Sequence, residues 1–185
     1  MLSALAEAEN ESGLVAKAQT EIEAFTPIYQ FYFPRVYNYV RYRVRDAQLT
    51  DDLTAQIFER VLLKLPGYQP QKAPFGAWLF TIAHNIISDH FRTQKRWRWL
   101  SFDSLFNHAT PDPPPESAAA SSDQKHKLLS AVSQLGERER DILALKFAAQ
   151  MNNRQIAVVL DLSEQNVAII LYRSIRHLRL ILKED

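Results

Sequence analysis

The sequence predicts an all-α protein built from two small helical domains joined by a flexible linker. Apolar residues recur at three- and four-residue steps along most of the chain, strand-type alternation is nearly absent, and glycine occurs only 4 times in 185 residues. A stretch rich in proline and small polar residues, 100–124, interrupts this pattern once. We therefore expect a tail at 1–13, a first domain at 14–99 and a second at 125–185.

Composition limits the class of protein before any motif is considered. An apolar content of 46% excludes a disordered chain, and the absence of cysteine excludes disulfides, thiolate metal sites and cysteine nucleophiles. The N-terminus lacks the basic and apolar segments of a signal peptide, and no apolar run approaches the roughly 18 residues of a membrane helix. We expect a soluble, cytoplasmic protein that does not associate with membranes.

Three helices account for the first domain. The first has an aromatic-rich stripe between Ile22 and Val44, and the second lies in TDDLTAQIFERVLLKLPG, with Thr50 as its expected N-cap and Pro-Gly as its stop. The third begins just after Pro74 and is expected to reach about Phe91. The apolar stripe of the second helix is Leu53, Ile57, Val61 and Leu65, and that of the third is Leu79, Ile82, Ala83, Ile86 and Ile87.

The third helix has a polar face that leads into a basic, aromatic end. The polar face consists of Thr81, Asn85, Ser88, Asp89 and Arg92, and the end of Lys95, Arg96, Trp97, Arg98 and Trp99. Cations bind phosphates, and aromatic rings stack on unpaired bases, so this composition favours single-stranded or melting nucleic acid. The alternative, in which Trp97 and Trp99 merely close the domain against the linker, stays open.

The segment 151–179, MNNRQIAVVLDLSEQNVAIILYRSIRHLR, has the pattern of a helix-turn-helix. Its second helix is expected to begin after the N-cap Ser163 and to bury Val167, Leu171, Ser174, Leu178 and Leu182. In this motif the second helix lies in the major groove of DNA. The residues expected at the DNA are Ser163, Gln165, Asn166, Ile169, Arg173 and Arg176. Because NVAIIL contains few donors or acceptors, direct base readout is expected to be sparse.

With both halves considered, the chain resembles bacterial sigma factors of the extracytoplasmic-function (ECF) type. The stretch FGAWLFTIAHNIISDHFR is similar to the promoter-melting segment of that family, including its Trp-Leu, Ile-Ala and Asn-x-x-x-Asp elements. DDLTAQIFERVLLKL is similar to the helix that docks on the clamp of RNA polymerase, and VSQLGERERDILALKF to the start of region 4.

The resemblance implies a role for each of these segments. Asn85, where the base-capturing loop of the family begins, would capture a base of the −10 element together with Ser88, Asp89 and Arg92, and the segment Lys95 to Trp99 would hold the displaced strand. The residues implied to bind polymerase are Asp52, Gln56, Glu59 and Arg60. Two helices depart from the family pattern: Ala55-Gln56 replaces Gln-Glu in the docking helix, and Ala168 and Ile170 replace Lys or Arg in the reading helix.

Two other classes of function explain less of the sequence. An enzyme is disfavoured, because the histidines form no metal-ligand spacing and the chain has no glycine-rich phosphate loop, so neither a metal nor a cofactor is expected. A helix-turn-helix regulator that does not join RNA polymerase would explain 151–179 but not the basic end of the third helix. The expected partners are core RNA polymerase and promoter DNA, with an anti-sigma factor as a further possibility.

Overall fold

The computed structural model describes residues 11–100 and 127–184, with the backbone alone for 97–100 and 184. These residues form an all-α fold without strands, as the sequence predicts. The expected linker lies outside the described residues except for Leu100, as do residues 1–10 of the expected tail. The helices are α1 (11–18), α2 (Thr26–Val44), α3 (Ala47–Lys64), α4 (Phe75–Leu100), α5 (127–133), α6 (Glu137–Leu143), α7 (Asn153–Leu160) and α8 (Glu164–Glu184).

Two helix ends differ from the sequence prediction. Helix α3 begins at Ala47 rather than after Thr50, because the Asp46 side chain accepts a hydrogen bond from the Leu49 amide at 2.6 Å and so caps the helix one turn earlier. Thr50 is buried instead, and its hydroxyl donates to the Asp46 carbonyl. Helix α4 continues past Phe91 to Leu100, so the basic end is helical.

Helices α2, α3 and α4 enclose the core of the first half of the molecule, residues 11–100. The predicted stripes of α3 and α4 are confirmed as buried, apart from Ile86, which is half-buried. Aromatic rings from α2 and α4 meet edge to face in this core, as in Tyr39 against Phe80, with ring centroids 5.7 Å apart. The resulting unit holds α3 and α4 side by side.

The second half, residues 127–184, contains the helix-turn-helix. Helix α6 runs into a π-helical turn, Ala144–Ala148, and α7 and α8 follow. The Ser163 hydroxyl accepts a hydrogen bond from the Asn166 amide at 3.1 Å, which confirms Ser163 as the cap of α8. Val167 and Ser174 are buried as predicted, whereas Leu182 is 39% exposed because it lies beyond the helices that cover the start of α8.

The two halves pack against each other in this structure. Helix α4 contacts α7, the π-helical turn contacts α2, and apolar residues of both halves belong to one continuous core. At this contact the Nε atom of Arg43, in α2, lies 2.7 Å from the Oδ1 atom of Asp141, in α6. The Arg43 side chain is only 3% exposed and the Asp141 side chain only 8%. The Arg43 guanidinium and the Asp141 carboxylate therefore form an ion pair, but their geometry is not that of a hydrogen bond.

Two further side chains from the first half surround Asp141. The imidazole Nδ1 of His84 lies 3.8 Å from Asp141 Oδ1 and 3.4 Å from the hydroxyl of the buried Tyr39. Burial lowers the pKa of His84, while the nearby carboxylate acts in the opposite direction. Burial likewise raises the pKa of Asp141, opposed by Arg43 and His84. The contact between the halves therefore has a charged centre inside an apolar surround.

Candidate nucleic-acid interface

The middle of α4 presents Asn85, Asp89 and Arg92 to solvent. These residues lie in an uninterrupted helix, so the loop expected to begin at Asn85 is not there. The guanidinium of Arg92 donates to Asp89 Oδ1 at 2.6 Å, three residues back on the same helix. This face thus offers a carboxamide for base edges and a partly neutralised cation for phosphates.

Two other residues of the predicted polar face are less accessible. Ser88 is half-buried, with its hydroxyl 3.5 Å from Nε2 of His84. Thr81 is also half-buried, and its hydroxyl donates to the Ala77 carbonyl at 2.8 Å. Ser88 lies at the edge of the contact with the second half, because its neighbour His84 approaches Asp141.

The basic end of α4 extends the exposed face. Lys95 and Arg96 are exposed and follow Arg92 at three- and four-residue spacing, so all three lie along one side of the helix. The backbone remains helical at Trp97 and Arg98, whose side chains lie outside the described part of the chain. Three exposed cations in two turns form a surface suited to a nucleic-acid backbone.

The outer face of α3 carries the four residues implied to bind polymerase, Asp52, Gln56, Glu59 and Arg60, and all are exposed. Leu63 continues this face one turn further and is 70% exposed. Leu63 is not among the residues predicted from the sequence, although its position outside the apolar stripe of Leu53, Ile57 and Val61 could have indicated an exposed apolar side chain. An exposed apolar side chain within a polar rim is typical of protein interfaces.

A groove of about 570 Å³ lies between α3 and α4 and is lined by residues from both predicted sets. Leu53, Ile82 and Ile86 contribute apolar side chains to its lining, Gln56, Arg60 and Lys64 line it from α3, and Asn85, Asp89, His90 and Thr93 line it from α4. Nε2 of His90 is buried and has no hydrogen-bond partner among the described residues. The groove therefore combines an apolar part with two cations and several hydrogen-bonding groups.

The helix-turn-helix is held by local hydrogen bonds. Asn152 caps α7 by accepting from the Gln155 amide at 2.9 Å, and the Gln155 side chain accepts from the Asn152 amide at 3.0 Å. Asp161 then adopts a left-handed conformation, φ 52°, which turns the chain toward α8. These contacts fix the entry of α8 relative to α7.

The predicted DNA-facing residues of α8 lie on its outer surface. Gln165, Asn166, Arg173 and Arg176 are exposed, and Ile169 is 39% exposed. Tyr172, which the sequence analysis did not assign, is 67% exposed between Ile169 and Arg176. By contrast, Ile170 is half-buried and packs against the core.

In residues 11–100 and 127–184, no three His, Asp or Glu side chains come together as they would around a metal ion. None of the helices in those ranges combines the length and the hydropathy needed to cross a membrane.

These features define an all-α protein with two separate exposed basic surfaces, one on α4 and one on α8. Each half of the chain matches a family of known proteins. The model for sigma-70 region 2 matches residues 28–97, and the model for sigma-70 region 4 matches residues 125–178. The ECF RNA polymerase sigma factor BldN of Streptomyces coelicolor is 31% identical over 173 residues, which cover 93% of this chain and 66% of BldN. The ECF RNA polymerase sigma factor SigM of Bacillus subtilis is 28% identical over 155 residues, covering 82% and 91%.

Solved structures share the fold of both halves. CnrH, in its complex with the cytosolic domain of CnrY, superposes with a TM-score of 0.70 at 21% identity and covers 93% of this chain and 96% of CnrH. The sigma factor RpoE of Bartonella quintana, bound to the anti-sigma factor NepR, gives 0.71 at 18% identity, covering 87% and 98%. The chain belongs to the sigma-70 family, within which it is an ECF sigma factor. It is thus an alternative sigma factor that works with RNA polymerase.

Proposed function

We propose that this sigma factor docks on core RNA polymerase through the outer face of α3, melts the −10 element with α4 and anchors upstream with α8. The observation that carries this proposal is the groove in which Gln56 and Arg60 of α3 face the same space as Asn85 and Asp89 of α4. Because both helices belong to one packed unit, docking on polymerase would position the melting helix directly. In this proposal residues 14–99 form the domain that binds polymerase and the −10 element, and residues 125–185 form the domain that binds upstream, with a tail at 1–13 and a linker at 100–124.

Polymerase docking is assigned to Asp52, Gln56, Glu59 and Arg60, with Leu63 as an apolar anchor at the end of the face. Interfaces typically place such an apolar side chain inside a rim of charged groups, which contribute specificity and association rate more than affinity. Ala55, which departs from the family pattern, is exposed beside Gln56. The exposed leucine supplies contact area that the short side chain of Ala55 does not.

Melting of the −10 element is assigned to the outer face of α4. The carboxamide of Asn85 can both donate to and accept from a base edge once that base leaves the stack. Arg92, Lys95 and Arg96 are placed to bind the phosphates of the opened strand. Trp97 and Arg98 are assigned to the same strand from the sequence alone. Asp89 orients Arg92 through their 2.6 Å contact, and the half-buried Ser88 is the peripheral member of the set.

Upstream contact is assigned to the start of α8. Gln165 and Asn166 face base edges from the first turn, Ser163 holds that turn in place, and Ile169 follows on the same side. Arg173 and Arg176 would bind phosphates, which fix the register of the helix on DNA.

The packed arrangement of the two halves has to open during initiation. The −10 and −35 elements lie about 25 base pairs apart by definition of their positions, which at 3.4 Å per base pair is roughly 85 Å. A compact chain of this length has a radius of gyration of about 16 Å and is roughly 40 Å across. Residues 101–126, at 3.3–3.6 Å per residue, are long enough to reach roughly 90 Å. Separation of the halves would therefore allow both elements to be bound at once.

Three further assignments follow from membership of the family. We place the protein in the cytoplasm, where RNA polymerase acts, without catalytic activity and without a cofactor of its own. An anti-sigma factor is a further expected partner, since RpoE of Bartonella quintana is seen bound to one. Such a partner would compete with polymerase for the exposed surfaces of α3 or α8.

Co-elution with core RNA polymerase on a sizing column tests the proposed function. The wild-type chain should co-elute, Leu63→Asp should lose co-elution, and Leu180→Asp, at an exposed leucine of α8, should retain it. Failure of the wild-type chain to bind polymerase, together with specific binding to DNA, would instead favour a helix-turn-helix regulator that does not join polymerase. Equal loss with both aspartate variants would remove the assignment of docking to α3.

A further inference from the structure

The reading face of α8 is unusually apolar for a helix that contacts DNA. Ala168, Ile169 and Tyr172 occupy its centre, and the last two are 39% and 67% exposed. The opposite side of α8 packs into the protein, where Val167 and Ser174 are fully buried, and this packing fixes the rotation of the helix about its axis. These apolar side chains therefore point outward because of how the helix packs, and they do not belong to the core.

The charge of α8 indicates the kind of partner that this apolar face contacts. Between Glu164 and Glu184 the helix has no acidic residue. Four exposed cations, Arg173, Arg176, Arg179 and Lys183, accompany the apolar side chains along the helix. A helix with this charge is attracted to a polyanion such as DNA in preference to a typical protein surface.

The major groove of B-DNA offers one apolar group to such a face, the 5-methyl group of thymine. We infer that Ile169 reads a thymine of the upstream element through its methyl group, while Gln165 pairs with an adenine nearby. The two residues lie four positions apart, or about 6 Å along the helix, and base pairs are spaced by 3.4 Å. Their contacts therefore fall on adjacent or next-adjacent base pairs. This inference rests on the proposed upstream role of α8 and adds the chemical feature that it recognises.

Replacing thymine by deoxyuridine tests the inference, because the two bases differ only in the methyl group. The probes are pools of random 25-base-pair duplexes, prepared with either thymine or deoxyuridine. They are selected by the full-length chain, both alone and in complex with core RNA polymerase. Removal of one buried methyl group corresponds to about a fourfold weaker Kd. Wild type should select thymine at one position and bind about fourfold more weakly when that base becomes deoxyuridine.

Three variants separate methyl recognition from a general effect on the helix. Ile169→Ala should bind thymine and deoxyuridine duplexes equally, while Leu182→Ala should keep the wild-type ratio. Leu182 is a matched control, because it is also 39% exposed on α8 but lies near its C-terminal end. Ile169→Val, which keeps a branched side chain, should retain most of the discrimination.

Three outcomes would overturn the inference, each in a different way. Sequence-selective binding by wild type without a difference between thymine and deoxyuridine would remove methyl readout but leave the upstream role of α8 in place. No selective binding by wild type, even in complex with polymerase, would remove that role as well. Loss of polymerase binding by Ile169→Ala, with DNA selectivity unchanged, would show that this face contacts protein.

Discussion

Removal of the Asp141 carboxylate should loosen the contact between the two halves of the molecule. Asp141 belongs to α6 and its ion-pair partner Arg43 to α2, so the pair connects the halves directly. While the halves of Asp141→Ala are packed together, the guanidinium of Arg43 would stay buried but would lack the carboxylate that lies 2.7 Å away in the wild type. The expected result is a larger population of separated halves, with each half still folded.

The structure allows the size of this effect to be worked out. Breaking a buried ion pair by removing one partner costs about 3–5 kcal/mol, because a buried charge is left uncompensated. Glu137 remains 3.9 Å from the guanidinium of Arg43, and the Phe91 ring centroid lies 5.5 Å from it, so the lower end of the range applies. A change of about 3 kcal/mol raises the ratio of open to closed molecules by roughly 100-fold.

Distance measurements between two spin labels provide the assay. The chain contains no cysteine, so cysteines introduced at the exposed positions Gln48 and Arg154 would be labelled uniquely, one in each half. Asp89→Ala is a matched control: it removes an aspartate 2.6 Å from an arginine, but that pair is exposed and lies within α4. Exposed pairs contribute about 0–1 kcal/mol, so this variant should leave the label distances unchanged.

Two results would refute this reasoning. If Asp141→Ala and Asp89→Ala both retain the wild-type distance distribution, the buried pair does not hold the halves together. If Asp141→Ala lowers the midpoint of thermal unfolding without any change in distance, the Asp141 side chain stabilises the second half alone and does not hold the halves together. The double variant Arg43→Met/Asp141→Leu completes the test, since removing both charges should restore the closed population.

Three further predictions concern the nucleic-acid surfaces and the core. Asn85→Ala should reduce open-complex formation, measured by permanganate reactivity of unpaired thymines, while co-elution with polymerase is kept; parallel loss of both would contradict its assigned role. Charge reversal at Arg173 and Arg176 should weaken duplex binding and lower the salt slope by about one for each phosphate that is no longer neutralised, as measured by titration at several salt concentrations. An unchanged slope would mean that neither residue contacts phosphate. Gly76→Ala should lower the free energy of unfolding by about 1–3 kcal/mol, because the new Cβ would lie 2.8 Å from the Tyr32 hydroxyl. Gly67→Ala, with no atom within 4 Å of its Cβ position, is the matched control, and equal denaturation curves for both variants would count against the steric argument.

The helical stripes could be predicted from the sequence because burial follows helical periodicity. Leu53, Ile57, Val61 and Leu65 are all buried for this reason. Helix ends were harder to predict, since they depend on which of several polar side chains reaches a free amide. Asp46 and Thr50 are both acceptable caps, and only the 2.6 Å contact of Asp46 with the Leu49 amide decides between them.

The surfaces of the candidate site were predictable in part. The exposed face of α4 follows from the same periodicity that predicts its buried stripe, so Asn85, Asp89 and Arg92 were expected on one side. The groove between α3 and α4 was not, because it depends on the distance and angle at which two helices pack. Accessibility was also not predictable: Ser88 belongs to the polar face by spacing but is half-buried in the structure.

The contact between the halves joins residues far apart in the sequence, so it could not be predicted from local patterns. Its polar centre affects how readily the halves separate. Arg43, His84 and Asp141 lose hydration when the halves close, which offsets much of their mutual attraction. Apolar residues at the same positions would close the contact at least as firmly but would leave an exposed apolar patch once the halves separate. Charged residues are hydrated again on opening. The opening of the halves that we propose for promoter binding is therefore better served by this polar centre than by an apolar one.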